Sequence, residues 1–208
     1  MDFFTRCCAS ARLSLALRCL LACLLMAAAV VRAQVATEIT QLRLERSDDE
    51  WQVSAQLQFE VPQVVEDALL KGIPMVFIYS ADVLRERWYW YDKKVLGTER
   101  QFRLAYQPLT RHWRLNVSNG PASSSGMGLA LNQSYESLAL ALGAIKRLTK
   151  WKVADATELD GNAKYKLDFR FRLDLGQLPR PFQIGALGQS DWDIAATVLM
   201  PLIAESGK

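Results

Sequence analysis

The sequence predicts a mainly β, α+β fold: one antiparallel, β-sandwich-like domain with two helices packed against it. Three observations predict it. Apolar and polar residues alternate with a period of two over 51–60, 165–175 and 192–200, as in strands that turn one face to a core and the other to water. Only two stretches carry apolar residues at helical spacing. Residues 34–208 are enough chain for a single domain with a core of its own.

The elements follow in order. A weak strand around Leu42 and Leu44 is joined by Ser47-Asp48-Asp49 to the strand in which Trp51, Val53, Ala55, Leu57 and Phe59 share a face. Pro62 suits the start of a first helix with Val64, Val65, Ala68 and Leu69 on one stripe, and Gly72 stops it. A three-strand meander is predicted over 75–91, 99–106 and 112–118, broken at Gly97 and at Gln107-Pro108. Its first strand is long and so is expected to contain a bulge or bend. Residues 119–126 are a Gly/Ser/Pro loop. Ser134 is placed to cap a second helix lined by Leu138, Ala141, Leu142, Ile145 and Leu148, with Lys146, Arg147 and Lys150 at its C-terminal end. Asp160-Gly161-Asn162 opens the strand from Tyr165, residues 178–182 form an extended proline-stiffened crossing, and Trp192 to Met200 closes the chain. No internal repeat is visible.

The first 33 residues form a predicted secretory signal. Arg6, Arg12 and Arg18 give a basic start, an apolar run from Cys19 to Val31 follows, and Val31-Arg32-Ala33 offers a cleavage site. An uncleaved inner-membrane anchor is the alternative, but it needs about 20 apolar residues and Arg18 and Arg32 bracket fewer. Leu20-Leu21-Ala22-Cys23 looks like a lipobox, but most of the apolar run follows the cysteine. The expected destination is therefore outside the cytoplasm, in an oxidising compartment. All four cysteines (Cys7, Cys8, Cys19, Cys23) lie in this leader, which leaves residues 34–208 without a disulfide, a thiol nucleophile or a cysteine metal ligand. Removing the leader's four arginines and one aspartate from 25 basic and 22 acidic residues leaves equal numbers of each. The net charge of +3 is thus a property of the leader, and no nucleic-acid partner is expected.

Charge is nevertheless unevenly spread. Between Arg85 and Arg114, eight basic residues are opposed only by Glu86, Asp92 and Glu99. The densest run is Arg85-Glu86-Arg87-Trp88-Tyr89-Trp90-Tyr91-Asp92-Lys93-Lys94. On a strand, Arg85, Arg87, Tyr89 and Tyr91 would face one way and Glu86, Trp88, Trp90 and Asp92 the other. One reading is a recognition surface of Arg85, Arg87, Trp88, Tyr89, Tyr91, Lys93, Lys94, Arg103, Arg111 and Arg114, in which aromatic faces stack and guanidinium forks hold anions. The other buries Trp88 and Trp90 in the core and leaves a solvated face of ion pairs.

No catalytic residue is singled out. His112 is the sole histidine and has no recognisable nucleophile or orienting acid beside it. One histidine without cysteine argues against zinc or haem, and neither Asp48-Asp49-Glu50 nor Asp191-Trp192-Asp193 has calcium-loop spacing. No metal or other cofactor is expected.

The string from Arg85 to Lys94, with Tyr106-Gln107-Pro108-Leu109-Thr110-Arg111-His112-Trp113-Arg114, Glu66-Asp67-Ala68-Leu69, Gly72-Ile73-Pro74 and Leu178-Pro179-Arg180-Pro181-Phe182, resembles the exported proteobacterial proteins of domain-of-unknown-function family 4390. The resemblance spans essentially all of residues 34–208 and implies an exported bacterial protein with no assigned activity. It also points to a membrane sensor kinase of the nitrogen-regulation type as a partner. The expected function is a non-enzymatic periplasmic binding or accessory protein contacting an anionic or membrane-associated partner, such as the outer domain of a sensor kinase or an anionic lipid or glycan. Two alternatives stay open. One is a carrier of lipid or glycan fragments, with a cavity lined by Phe77, Tyr79 and Phe169. The other is a hydrolase built on two carboxylates.

Overall fold

Nine strands in two antiparallel sheets carry the fold of the computed structural model, which describes residues 36–47, 49–120, 131–160, 163–186 and 190–203. The leader with its cleavage point, Asp48, residues 121–126 and the Gly161-Asn162 turn lie outside the described residues. The elements are β1 (Glu38–Ser47), β2 (Glu50–Gln58), α1 (Gln63–Leu70), β3 (Met75–Arg85), β4 (Lys93–Gln107), β5 (His112–Asn119), β6 (Leu131–Tyr135), α2 (Leu138–Lys146), β7 (Arg147–Asp155), β8 (Tyr165–Leu173), α3 (Arg180–Ala186) and β9 (Ala195–Pro201). One sheet has the order β1-β2-β7 and the other β6-β5-β4-β3-β8-β9. The mainly β, sandwich-like architecture agrees with the sequence pattern.

Alternation explains which faces meet. Trp51, Val53, Ala55 and Leu57 on β2 are buried, as are Leu167, Phe169, Phe171 and Leu173 on β8, while their even-numbered neighbours are more open. The sheets close on each other through aromatic rings: Phe59 lies 5.8 Å from Phe77 and 5.1 Å from Phe171, and Trp151 on β7 lies 6.5 Å from Phe169. β3 is buried on both faces from Met75 to Val83. On the outer face Ile78 lies between Gln101 and Arg172, and Ser80 between Glu99 and Arg170. Long side chains on both flanking strands account for that burial, since their stems cover apolar surface while their heads stay wet.

The helices are short and closed by local chemistry. Pro62 precedes α1 with its carbonyl accepting from Val65 and Glu66. Gly72 then takes φ 83, with its N–H on Leu69 O and that of Ile73 on Ala68 O. That double bond is a Schellman stop, which requires a left-handed residue and so favours glycine. α2 is capped by Ser137, whose Oγ accepts from Leu140 N. Ser134 belongs to β6, and Leu148 and Lys150, expected on the helix, belong to β7. Residues 178–182 do not form an extended crossing. They lead into α3, whose first turn begins on the carbonyl of Pro179, a position where proline fits a helix start.

Tyr79 ties a helix to the large sheet. Its hydroxyl, fully buried, donates to Ile145 O at 2.6 Å near the end of α2, and burial pushes the phenol well above its usual range. Tyr79→Phe is expected to cost about 1–3 kcal/mol by leaving that carbonyl without a donor. A urea titration that superimposes on the wild type would show that water satisfies the carbonyl.

Candidate binding surface

β3 and β4 stay paired as far as Arg85 and Lys93, and residues 86–92 leave the sheet as a loop. This corrects the strand expected over 75–91, while the expected irregularity is present as a register shift between Val83 and Leu84. The base of the loop is fastened in three ways. Glu86 N donates to Lys164 O at 2.9 Å. Lys166 on β8 places its ammonium 3.3 Å from both Glu86 Oε1 and Asp92 Oδ2. Arg85 reaches Asp160 at 3.4 Å. The two acids that bracket the aromatic run are therefore drawn to one cation.

Beyond that closed base, Trp88 is 94% exposed, Tyr89 65%, Trp90 71% and Tyr91 86%. The alternation read across the run does not exist, and the alternative that buries Trp88 and Trp90 is overturned. The only ring contact at the tip is internal, Trp88 edge-on to Tyr89 at 5.2 Å. The other tryptophans, Trp51, Trp113, Trp151 and Trp192, are all buried. Among the described residues Arg87 and Lys93 have no ion-pair partner, one on each side of the tip, whereas Arg85 and Lys94 are paired. A hollow of about 470 Å³ under the loop is lined by Arg85, Glu86, Arg87, Trp88, Lys164 and Lys166.

Hydrogen bonds to Glu86 and then Asp92 hold the Lys166 ammonium above the usual lysine range. The folded form is favoured by this clamp below about pH 10.4, and the contribution is lost as pH rises through the raised value. Lys166→Met is expected to leave the global melt nearly unchanged and to speed amide exchange at Glu86. Unchanged exchange there would mean that the clamp does not hold the loop base.

Below the loop, on the outer face of the large sheet, Asp82 faces Asp168 across the β3–β8 pair. Lys94 Nζ lies 2.6 Å from Asp82 Oδ1, and Arg170 bridges the two acids at 3.0 and 2.8 Å. These two carboxylates face each other as a hydrolase's pair would, but both already hold cations. Asp168 Oδ1 is buried without a hydrogen-bond partner among the described residues. Gly97, expected to break the meander, sits within β4 opposite Asp82. A Cβ there would come within 2.5 Å of Lys94 Cε and 2.7 Å of Asp82 Oδ1. Gly97→Ala is expected to cost about 1 kcal/mol, because the Lys94 ammonium would have to leave Asp82. Thermal denaturation checks it, and an unchanged midpoint would show that the lysine swings aside freely.

The structure gathers Arg85, Arg87, Trp88, Tyr89, Tyr91, Lys93 and Lys94 around the loop. It separates Arg103, Arg111 and Arg114 from it. Arg103 lies ten residues along β4 from Lys93, about 33 Å of strand. Arg111 is in the turn at the far end, at φ 54, and Arg114 lies on β5 opposite Ala105. Sequence reasoning missed Trp90, Lys166 and Asp160 as parts of this surface. The usable signal was the pair Glu86 and Asp92, one on each side of an uninterrupted aromatic run.

These features define a two-sheet antiparallel β domain that carries a cation-flanked aromatic loop on a fastened base. The chain belongs to the family described as domain of unknown function DUF4390, whose model matches residues 34–199. No curated protein and no solved structure matches it.

Proposed function

We propose that the protein is a non-enzymatic periplasmic binding or accessory module that contacts an anionic or membrane-associated partner through loop 86–92. A membrane sensor kinase's outer domain is one such partner. The observation that carries this reading is the run of four consecutive exposed aromatics on a base held by Lys166. Folding alone gives no return on leaving that much apolar surface in water, and rigid aromatic anchors flanked by cations are what recognition surfaces use. The carrier alternative has less support, because Phe77, Tyr79 and Phe169 are fully buried among packed rings. The hydrolase alternative has less support because Asp82 and Asp168 share Arg170.

In-cell photo-crosslinking tests the reading. A probe replacing Arg87 is compared with one replacing Leu109, which is fully exposed in the turn at the other end of β4. Adducts with a discrete membrane protein or with lipid, formed from 87 and not from 109, are the expected result. Equal background from both positions would sink it.

A further inference from the structure

The chemistry of the loop selects among partners, and we infer that its ligand is the anionic phospholipid surface itself, into whose headgroup layer the tip inserts. This inference rests on the reading of loop 86–92 as the contact surface. The tip consists of Trp88, Tyr89, Trp90 and Tyr91 alone. Indole and phenol are the side chains that settle at the boundary between hydrocarbon and water, with an apolar ring and a polar handle.

Charge agrees with that placement. Arg87 and Lys93 flank the tip, unpaired among the described residues, at the level where lipid phosphates would lie. The segment's two acids, Glu86 and Asp92, are held by Lys166, so both carboxylates already have a cation. The same end of the sheet presents a further apolar group. Leu202 N bonds to Tyr165 O, Tyr165 pairs with Arg85, and the next residue, Ile203, is exposed. The anchors of a protein interface cluster near its centre, ringed by contacts that exclude water. This tip instead has all its rings exposed at the end of a hairpin.

The test is partition of the purified protein onto vesicles of phosphatidylcholine with and without 30% phosphatidylglycerol, read by sedimentation and tryptophan emission. Only Trp88 and Trp90 are exposed among the six tryptophans, so a blue shift and quenching by brominated lipid report on the tip. Binding to the anionic vesicles that weakens as salt rises is the expected result. Trp88→Ala with Trp90→Ala should weaken it at least tenfold, and Arg87→Glu with Lys93→Glu should remove the preference for anionic lipid. The variants differ from the wild type only between positions 87 and 93, so binding contributed elsewhere cancels, and an unchanged melt shows that they fold. Wild-type protein that stays in the supernatant, or tip variants that bind equally well, would overturn the inference. A protein adduct from position 87 in that case leaves the binding module standing with a protein partner; no adduct removes both.

Discussion

Phe171→Ala is expected to lower stability by about 4 kcal/mol, the largest loss foreseen for any single truncation. Phe171 is almost wholly buried on β8 and is the ring on which the core converges: Tyr79 lies at 4.8 Å, Phe59 at 5.1 Å and Phe77 at 5.9 Å, the last nearly parallel. Phe59 comes from the small sheet's side of the core and the other two from the large sheet, so this ring helps to join the layers. Collapse around the gap is hindered, because Tyr79 is held in register opposite position 171 and by its bond to Ile145. Against a typical total of about 5–15 kcal/mol, the variant would keep little margin, and its melting point should fall by about 10 °C. Urea denaturation at constant slope measures it. A midpoint near that of the wild type would mean that the sheets are not held together through these rings.

Arg170→Met is expected to cost about 2 kcal/mol. Removing one partner of a buried ion pair costs about 3–5 kcal/mol, and the figure is reduced here because the Arg170 side chain is 47% exposed and its charge partly screened. What remains is specific. Asp82 and Asp168 face each other directly, their side chains 10% and 19% exposed, with Lys94 on Asp82 alone. Like charges opposed across a strand pair destabilise it. Asp168→Asn in the Arg170→Met background should therefore recover part of the loss, although the same change alone, in the presence of Arg170, should be destabilising. That reversal of sign in a double-mutant cycle is the measurement. Additive effects would show that the carboxylates do not sense each other.

The sheets were legible in the sequence where one face is core and the other water. β2 and β8 have their apolar residues at the expected parity, and so does β9 with Ala196, Val198 and Met200 turned inward. Three things were not legible. The loop was hidden because Trp and Tyr favour strands and no Gly or Pro marks where β3 ends. What ends it is a tertiary contact, the hold of Lys166 on Glu86 and Asp92. β7 was hidden because Leu148 continues the helical spacing of Ala141 and Ile145, although the chain turns extended at Arg147. α3 was hidden because Pro179 and Pro181 suggest extended chain, yet a proline in a first helical turn loses no bond. The surface itself was half legible: its charges were evident, but their division between a loop and the far end of a long hairpin depends on topology.

The closed base of the loop has a consequence for how this protein can change. Among the described residues, 87–91 make no hydrogen bond or ion pair to the rest of the domain, whereas Glu86 and Asp92 make those that fix the exit and return of the chain. Five positions can therefore mutate with almost no effect on the domain, while changes at the two ends loosen the base that presents them. The sequence of the tip is free to drift, and the scaffold supplies the same fastened stem for each new tip. Such a hairpin is a natural graft point: another recognition sequence placed between Glu86 and Asp92 would inherit its presentation from the domain beneath.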